Sequence, residues 1–338
     1  MADKSAIEWT DATWNPIVGC SILSPGCTHC YAMGMAARIE AMTTALQAKG
    51  QTGAPHYAGT TRKVNDHAVW TGKLAIAPDH ILREPLSWKK PRRIFVNSMG
   101  DLFHEDVPDE WIDRVFAVMT LSPQHTFQVL TKRAKRMREY VSNARGPNSF
   151  PTRDWPLPNV WLGVSAERQQ EADERIPELL ATPAAIRFVS AEPLLGRIDF
   201  GKIIRAATFA GTIHPDGKTH PIGWMIAGGE SGPGARPMHP AWARQIRDDF
   251  VSAGVPFFFK QWGAWGRAAP RPSGTPGTFA IANAPPYSEF WQSMVTPVDF
   301  YPRQFDLFGG AIVLEQLGKK AAGRLLDGVE HNAMPEAR

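Results

Sequence analysis

Six seven-residue apolar runs recur along the chain: RIFVNSM (93–99), HTFQVLT (125–131), NVWLGVS (159–165), AIRFVSA (185–191), IGWMIAG (222–228) and VPFFFKQ (255–261). They are short, rich in Val, Ile and Phe, and barely alternate in polarity, which is the pattern of strands buried on both faces. Amphipathic segments separate them. VPDEWIDRVFAVM (107–119) brings Trp111, Ile112, Val115, Val118 and Met119 onto one helical face, with Pro108 suited to its first turn. HPAWARQIRDDFVSAG (239–254) repeats Trp242, Ile246 and Phe250 every four residues, and Gly254 can close its C-terminus. Segments 132–142 and 167–181 read as more polar helices.

Strand and helix in steady succession predict an α/β chain with a parallel sheet and right-handed crossovers. A further strand near Pro16–Cys20 brings the number to seven and suits a full or partial (β/α) barrel over residues 1–263. Residues 50–72 read as an irregular insertion. The tail, 264–338, has a different character. Residues 264–288 are rich in Pro and Gly and predict a loop or linker, RQFDLFGGAIVLEQ (303–316) a hairpin about Gly309-Gly310, and KKAAGRLLDG (319–328) a short terminal helix packed on the barrel.

In a parallel (β/α) protein the loops after the strands meet on one face. The predicted strand ends supply Asn97 to Asp101, Thr131-Lys132-Arg133, Ser165 with Glu167, Ser190 with Glu192, Gly228-Gly229-Glu230, and Lys260-Gln261. Helix caps account for some of these singly. As a set they predict a mouth with a charged ligand.

All three cysteines, Cys20, Cys27 and Cys30, fall in GCSILSPGCTHCYA (19–32), just before a helical segment that ends at Gly50. An odd number of cysteines argues against a disulfide framework. The polar start MADKSAIEWTD and the lack of any run of about 20 apolar residues predict no signal peptide and no membrane span, hence a soluble protein of the reducing cytoplasm. The spacing C-x6-C-x2-C then points to metal. Thiolates suit an iron–sulfur cluster with one open iron, or zinc completed by His29 or His56.

The net charge of +4 permits a polyanionic partner. TKRAKRMRE (131–139) gathers Lys132, Arg133, Lys135, Arg136 and Arg138, either as a solvated helix face or as a patch for nucleic-acid phosphates. Trp70, Trp88, Trp262 and Trp265 are candidates for base stacking, although tryptophan belongs more often to a core.

The blocks TWNPIVGCSILSPGCTHCYA, RIFVNSMGDLFHEDVP, FQVLTKRAKRM, NVWLGVSAE, RFVSAEPLLGRID, WMIAGGESGPGARPMHPAW, VPFFFKQWG and GKKAAGRLLDG span residues 13–328. Together they resemble the phage Gp37/Gp68 (DUF5131) family. The cysteine loop is similar to that of radical S-adenosylmethionine (SAM) enzymes, nearest to the spore photoproduct lyase-like group, with three more residues between the first two cysteines than their usual C-x3-C-x2-C.

That resemblance implies a partial (β/α) barrel of the radical SAM type, here carrying a C-terminal hairpin and short helix. Cys20, Cys27 and Cys30 would hold a [4Fe-4S] cluster whose fourth iron takes SAM, and an electron donor such as flavodoxin or ferredoxin would drive reductive cleavage of SAM to a 5′-deoxyadenosyl radical. Those enzymes hold the SAM ammonium with a Gly-Gly-Glu after the second strand, where this chain has Asn97-Ser98-Met99-Gly100-Asp101. Asp101 is therefore the implied carboxylate. Ser165 and Glu167 match residues at the SAM ribose, and Glu192 and Glu230 are the next candidates. The implied function is a radical SAM-like enzyme on an unknown substrate, nucleic acid or nucleotide among the options. The alternative is a non-catalytic zinc or iron–sulfur protein that binds nucleic acid or a protein partner.

Overall fold

The computed structural model describes residues 5, 7–143, 155–209, 221–232, 234–268, 277, 279–282, 292–294 and 312–336. Its centre is a seven-stranded sheet of β1 (Ala12–Trp14), β2 (Arg93–Val96), β3 (Thr126–Thr131), β4 (Val160–Ser165), β5 (Ile186–Ala191), β6 (Trp224–Gly228) and β7 (Phe257–Gln261). Each strand pairs in parallel with the next in sequence, so the spatial order follows the chain order and β1 and β7 are the two edges. The sheet is a curled half-barrel. Helices α1 (Tyr31–Gln47), α2 (Asp109–Thr120), α3 (Ala134–Ser142), α4 (Gln169–Leu180), α5 (Phe200–Phe209) and α6 (Pro240–Ser252) lie in the crossovers.

The strands fail to alternate in polarity because both faces are buried, but they alternate in partner. Ile94, Val96, Val129, Leu162, Val164, Val189, Met225 and Phe257 pack outward in one core with the helices. Phe95, Trp161, Phe188, Trp224, Ile226 and Phe258 fill the concave side together with Trp9. Leu130, Gly163, Phe188 and Trp224 share one level of that interior. A Cβ on Gly163 would lie 2.5 Å from the Phe188 ring, so the glycine makes room for the aromatic. Gly163→Ala is expected to lower stability by about 1–3 kcal/mol through overpacking, read as a lower midpoint in chemical denaturation. An unchanged midpoint would mean that the ring moves freely aside.

One level higher the inward residues turn polar, with Ser165 opposite Ser190. That change marks the floor of the mouth. The opposite end is closed by the C-terminal segment: Phe259 N–H donates to His331 O at 2.9 Å, Trp224 Nε1 to Ala333 O at 3.0 Å, and Phe258 bridges Asn332.

Several expectations are corrected. The first parallel strand is Ala12–Trp14 and not Pro16–Cys20; Pro16 has no N–H for a ladder, and Ile17–Val18 pairs antiparallel with Ala75–Ile76. The insertion at 50–72 contains a regular hairpin, Thr61–Val64 with His67–Trp70, whose turn residues Asn65 and Asp66 both have positive φ. Residues 264–288 are more than a linker: Trp265–Arg267 and Phe279–Ala282 join Ile312–Gln316 and Gln292–Met294 in a four-stranded antiparallel sheet. The hairpin expected at 303–316 lies outside the described residues in its first half, and Ile312–Gln316 pairs instead with the two earlier strands. The terminal helix is only Lys319–Ala322, ended by Gly323 at φ 73°. Among the described residues no helix is long and apolar enough to cross a membrane.

Candidate functional site

A cavity of ≈ 460 Å³ opens where the strands end, and each strand or the loop after it reaches the wall. Cys20, Cys27 and Cys30 follow β1, Asn97 and Asp101 follow β2, and Lys132 and Arg133 follow β3; Ser165 ends β4, Ser190 and Glu192 come from β5, Glu230 follows β6, and Lys260 and Gln261 end β7. Its lower wall is Trp9, Phe95 and Leu130.

The cysteine loop is short and tightly turned. Cys27 closes the 3-10 turn Pro25–Cys27 with its N–H on Ser24 O at 2.8 Å, and Cys30 is the N-cap of α1 with its N–H on Cys27 O at 3.2 Å. All three thiols are free. Beneath the loop lies Glu167, fully buried, accepting from Ser24 Oγ at 2.8 Å and from Arg175 Nη1 at 3.0 Å, with the Lys132 ammonium beside it. A Cβ on Gly26 would come within 2.3 Å of Glu167 Oε1, so only glycine lets the loop rest on that carboxylate.

Burial, aided by Asp101, pushes the Cys20 thiol up to about 12, and burial also raises Cys30. Burial acts on Cys27 in the same sense, but Lys132 and hydrogen bonds at Leu23 and Ser24 outweigh it and lower the thiol. Burial in turn brings the Lys132 ammonium down to about 8. Three free thiols on one cavity wall are soft donors that could hold an iron–sulfur cluster, and ligation would exchange their protons for iron. Among the described residues no three His, Cys, Asp or Glu side chains are placed to hold a single metal ion. A cubane spreads its thiolates over separate irons and does not require such convergence. Of the two histidines weighed for zinc, His29 lines the same cavity with Nδ1 3.2 Å from Glu230 Oε2, and His56 lies against the Tyr57 ring at 4.8 Å, outside the cavity wall.

Asp101 is saturated. Its Oδ1 accepts from Thr131 Oγ1 at 2.6 Å and Phe103 N–H at 3.0 Å, and its Oδ2 from Lys132 N–H at 3.0 Å and Arg133 Nη1 at 3.2 Å. Glu230 is equally occupied by the Arg236 backbone and guanidinium and by His29. Burial alone would raise its pKa, but the Arg236 hydrogen bonds prevail and hold it low. Glu192 differs: Lys260 Nζ at 2.7 Å and Gln261 Nε2 at 3.4 Å both meet Oε1, and Oε2 has no partner among the described residues. The buried Asn97, at φ 59°, accepts from Ile17 N–H at 3.2 Å, and its Nδ2 has no partner among the described residues. Ser165 and Ser190 turn their side chains to the cavity floor.

The basic run does not form one surface. Arg133 and Lys132 are drawn under the cysteine loop, Arg136 pairs with Asp109, Arg138 with Glu178, and Lys135 stands 3.9 Å from Glu139. Pairing of Lys132, Arg133, Arg136 and Arg138 with carboxylates from other elements disperses the charge that sequence proximity suggested. Of the tryptophans considered for stacking, Trp265 is buried with Nε1 on Ala235 O at 2.6 Å, and Trp262 Nε1 donates to Leu325 O at 2.8 Å. Sequence reading missed Arg175, Arg236 and Trp9. Arg175 lies eight residues beyond Glu167 in a polar helix, and its spacing carries no signal of burial.

Fold and site together define a parallel (β/α) half-barrel with a three-thiol loop at its mouth. The family model for proteins of unknown function DUF5131 matches residues 4–335, so the chain belongs to that family. No curated protein and no solved structure gives a match.

Proposed function

We propose that this chain, of the phage Gp37/Gp68 kind, is a radical SAM-type enzyme. One observation carries the reading: three free thiols on a single loop line the cavity into which the other strands of the half-barrel deliver polar side chains. Cys20, Cys27 and Cys30 would hold a [4Fe-4S] cluster with three ligands, leaving one iron for SAM. When bound and reduced by an electron donor such as flavodoxin or ferredoxin, the cluster would supply the one electron needed for reductive cleavage of SAM to methionine and a 5′-deoxyadenosyl radical.

The chain's own part is to hold SAM and keep water out. Glu192, with Oε2 open, takes the role of ammonium partner that the sequence suggested for Asp101, whose oxygens are already met. Ser165 and Ser190 present hydroxyls to the ribose. Glu167 supports the loop from below and does not reach the ligand. Trp9 and Phe95 give the cavity a dry lower wall. The dispersed basic run gives no support to nucleic acid as the substrate.

The dithionite-reduced protein is expected to convert SAM to 5′-deoxyadenosine and methionine, followed by chromatography with mass detection. Glu192→Gln should lower that turnover by about tenfold or more with iron content intact, because orientation of SAM is lost and ligation is not. A loaded, reducible cluster that forms no 5′-deoxyadenosine would leave an iron–sulfur protein of another class. Turnover untouched by Glu192→Gln would reject this placement of SAM.

A further inference from the structure

We propose that Arg133 positions Cys20 as a ligand and raises the cluster's reduction potential by donating a charged hydrogen bond to its sulfur; this rests on the iron–sulfur reading. The guanidinium is buried, with 3% of its side chain exposed, and ties three loops together. Nε donates to Glu105 Oε2 at 3.3 Å, Nη1 to Asp101 Oδ2 at 3.2 Å and to Cys20 Sγ at 3.5 Å, and Nη2 to Ser21 Oγ at 2.8 Å and Ser21 O at 3.5 Å. An arginine has five N–H groups in a rigid fork. All five are used here, and one of them is aimed at a ligand sulfur.

The surroundings hold that fork still. Asp101 is fixed in turn by Thr131 Oγ1, Phe103 N–H and Lys132 N–H. Ser21 Oγ lies 2.7 Å from His104 Nε2, and His104 Nδ1 accepts from Asp106 N–H at 3.2 Å, which leaves Nε2 as the protonated nitrogen facing Ser21. Of the other two sulfurs, Cys27 has the neutral Ser24 hydroxyl at 3.8 Å and Cys30 has backbone N–H groups of Ala32 and Met33. Among the described residues, Cys20 is thus the cysteine with a cationic side-chain donor.

The consequence is electrochemical. Reduction adds negative charge to the cluster and its thiolates, so a donor that cannot lose its own proton stabilises the reduced form more than the oxidised one. A lysine has three donors on a point charge and cannot meet these acceptors in one plane. A solvated face or a phosphate contact, the two sequence readings of Arg133, would need free N–H groups that this guanidinium does not have.

The test is a redox titration followed by the EPR signal of the reduced cluster. Arg133→Lys and Arg133→Gln are expected to retain iron while the reduced-to-oxidised ratio at a fixed potential falls roughly tenfold, about 59 mV for one electron. Glu105→Gln, which removes the charge on an exposed partner of the same guanidinium but keeps an oxygen to accept from Nε and leaves the sulfur contact alone, should leave the midpoint in place. Loaded Arg133 variants with the parent midpoint would overturn the inference alone; a parent that takes up no iron would overturn the iron–sulfur reading and this inference with it. If both Arg133 variants fail to fold, the parent grown with guanidino-15N arginine decides the matter. Pulsed EPR should show 15N coupling to the reduced cluster, and its absence would overturn the inference.

Discussion

Single replacement of Cys20, Cys27 or Cys30 by Ala is expected to remove nearly all bound iron and sulfide while leaving the half-barrel folded. The three thiols are the protein's whole supply of thiolate ligands, since the chain has no other cysteine. Two remaining thiolates retain a cubane poorly, so each variant should behave alike. The fold should survive because its two large cores, the outer one against the helices and the concave aromatic one, contain none of the three. Cys20 and Cys30 only border a smaller cluster with Val18, Met33 and Met99. Iron and sulfide analysis of anaerobically prepared variants, with far-ultraviolet circular dichroism for the fold, gives both readouts. A variant with full iron and sulfide would break the three-ligand account at that residue.

A second large effect is expected beneath the loop. Glu167→Ala removes the carboxylate that Arg175, Lys132 and Ser24 share and leaves two buried cations facing each other. Breaking a buried pair from one side destabilises by about 3–5 kcal/mol. The loop also loses the surface on which Gly26 rests, so cluster loading should fall together with stability. Glu167→Gln keeps the shape and an acceptor for Ser24 but not the charge, and should fall between parent and Ala. Equal denaturation midpoints for parent and Glu167→Ala would show that Arg175 and Lys132 find other partners, and the supporting role would then be withdrawn.

The contrast between Glu167 and Glu192 shows where sequence reasoning stops. Glu167 lies two residues past β4 and Glu192 one past β5, and both were predicted at the mouth, but one is buried under the loop and the other keeps an open oxygen. The difference is made by Arg175 and Lys132, whose approach to Glu167 depends on how α4 and the turn after β3 pack. Much else was legible. Six of the seven parallel strands lie inside the apolar runs, because burial on both faces leaves a short Val-, Ile- and Phe-rich signature. The first strand escaped because Ala12–Trp14 is only three residues and sits beside a more apolar stretch that turns away at Pro16. The basic run misled for the opposite reason. Five cations within seven residues read as one patch, but the carboxylate partners of four of them lie 27 to 40 residues away, at Glu105, Asp109, Glu167 and Glu178, and only Lys135 has its carboxylate, Glu139, on its own helix.

The central claim is a three-thiolate cluster whose remaining iron takes SAM. EPR of the anaerobically purified, dithionite-reduced parent, recorded with and without SAM alongside iron and sulfide analysis, tests it most directly. The account predicts about four irons and four sulfides per chain and a reduced-cluster signal that changes shape when SAM is added. A colourless chain with one zinc, or a loaded cluster whose signal is the same with SAM as without it, would contradict the account.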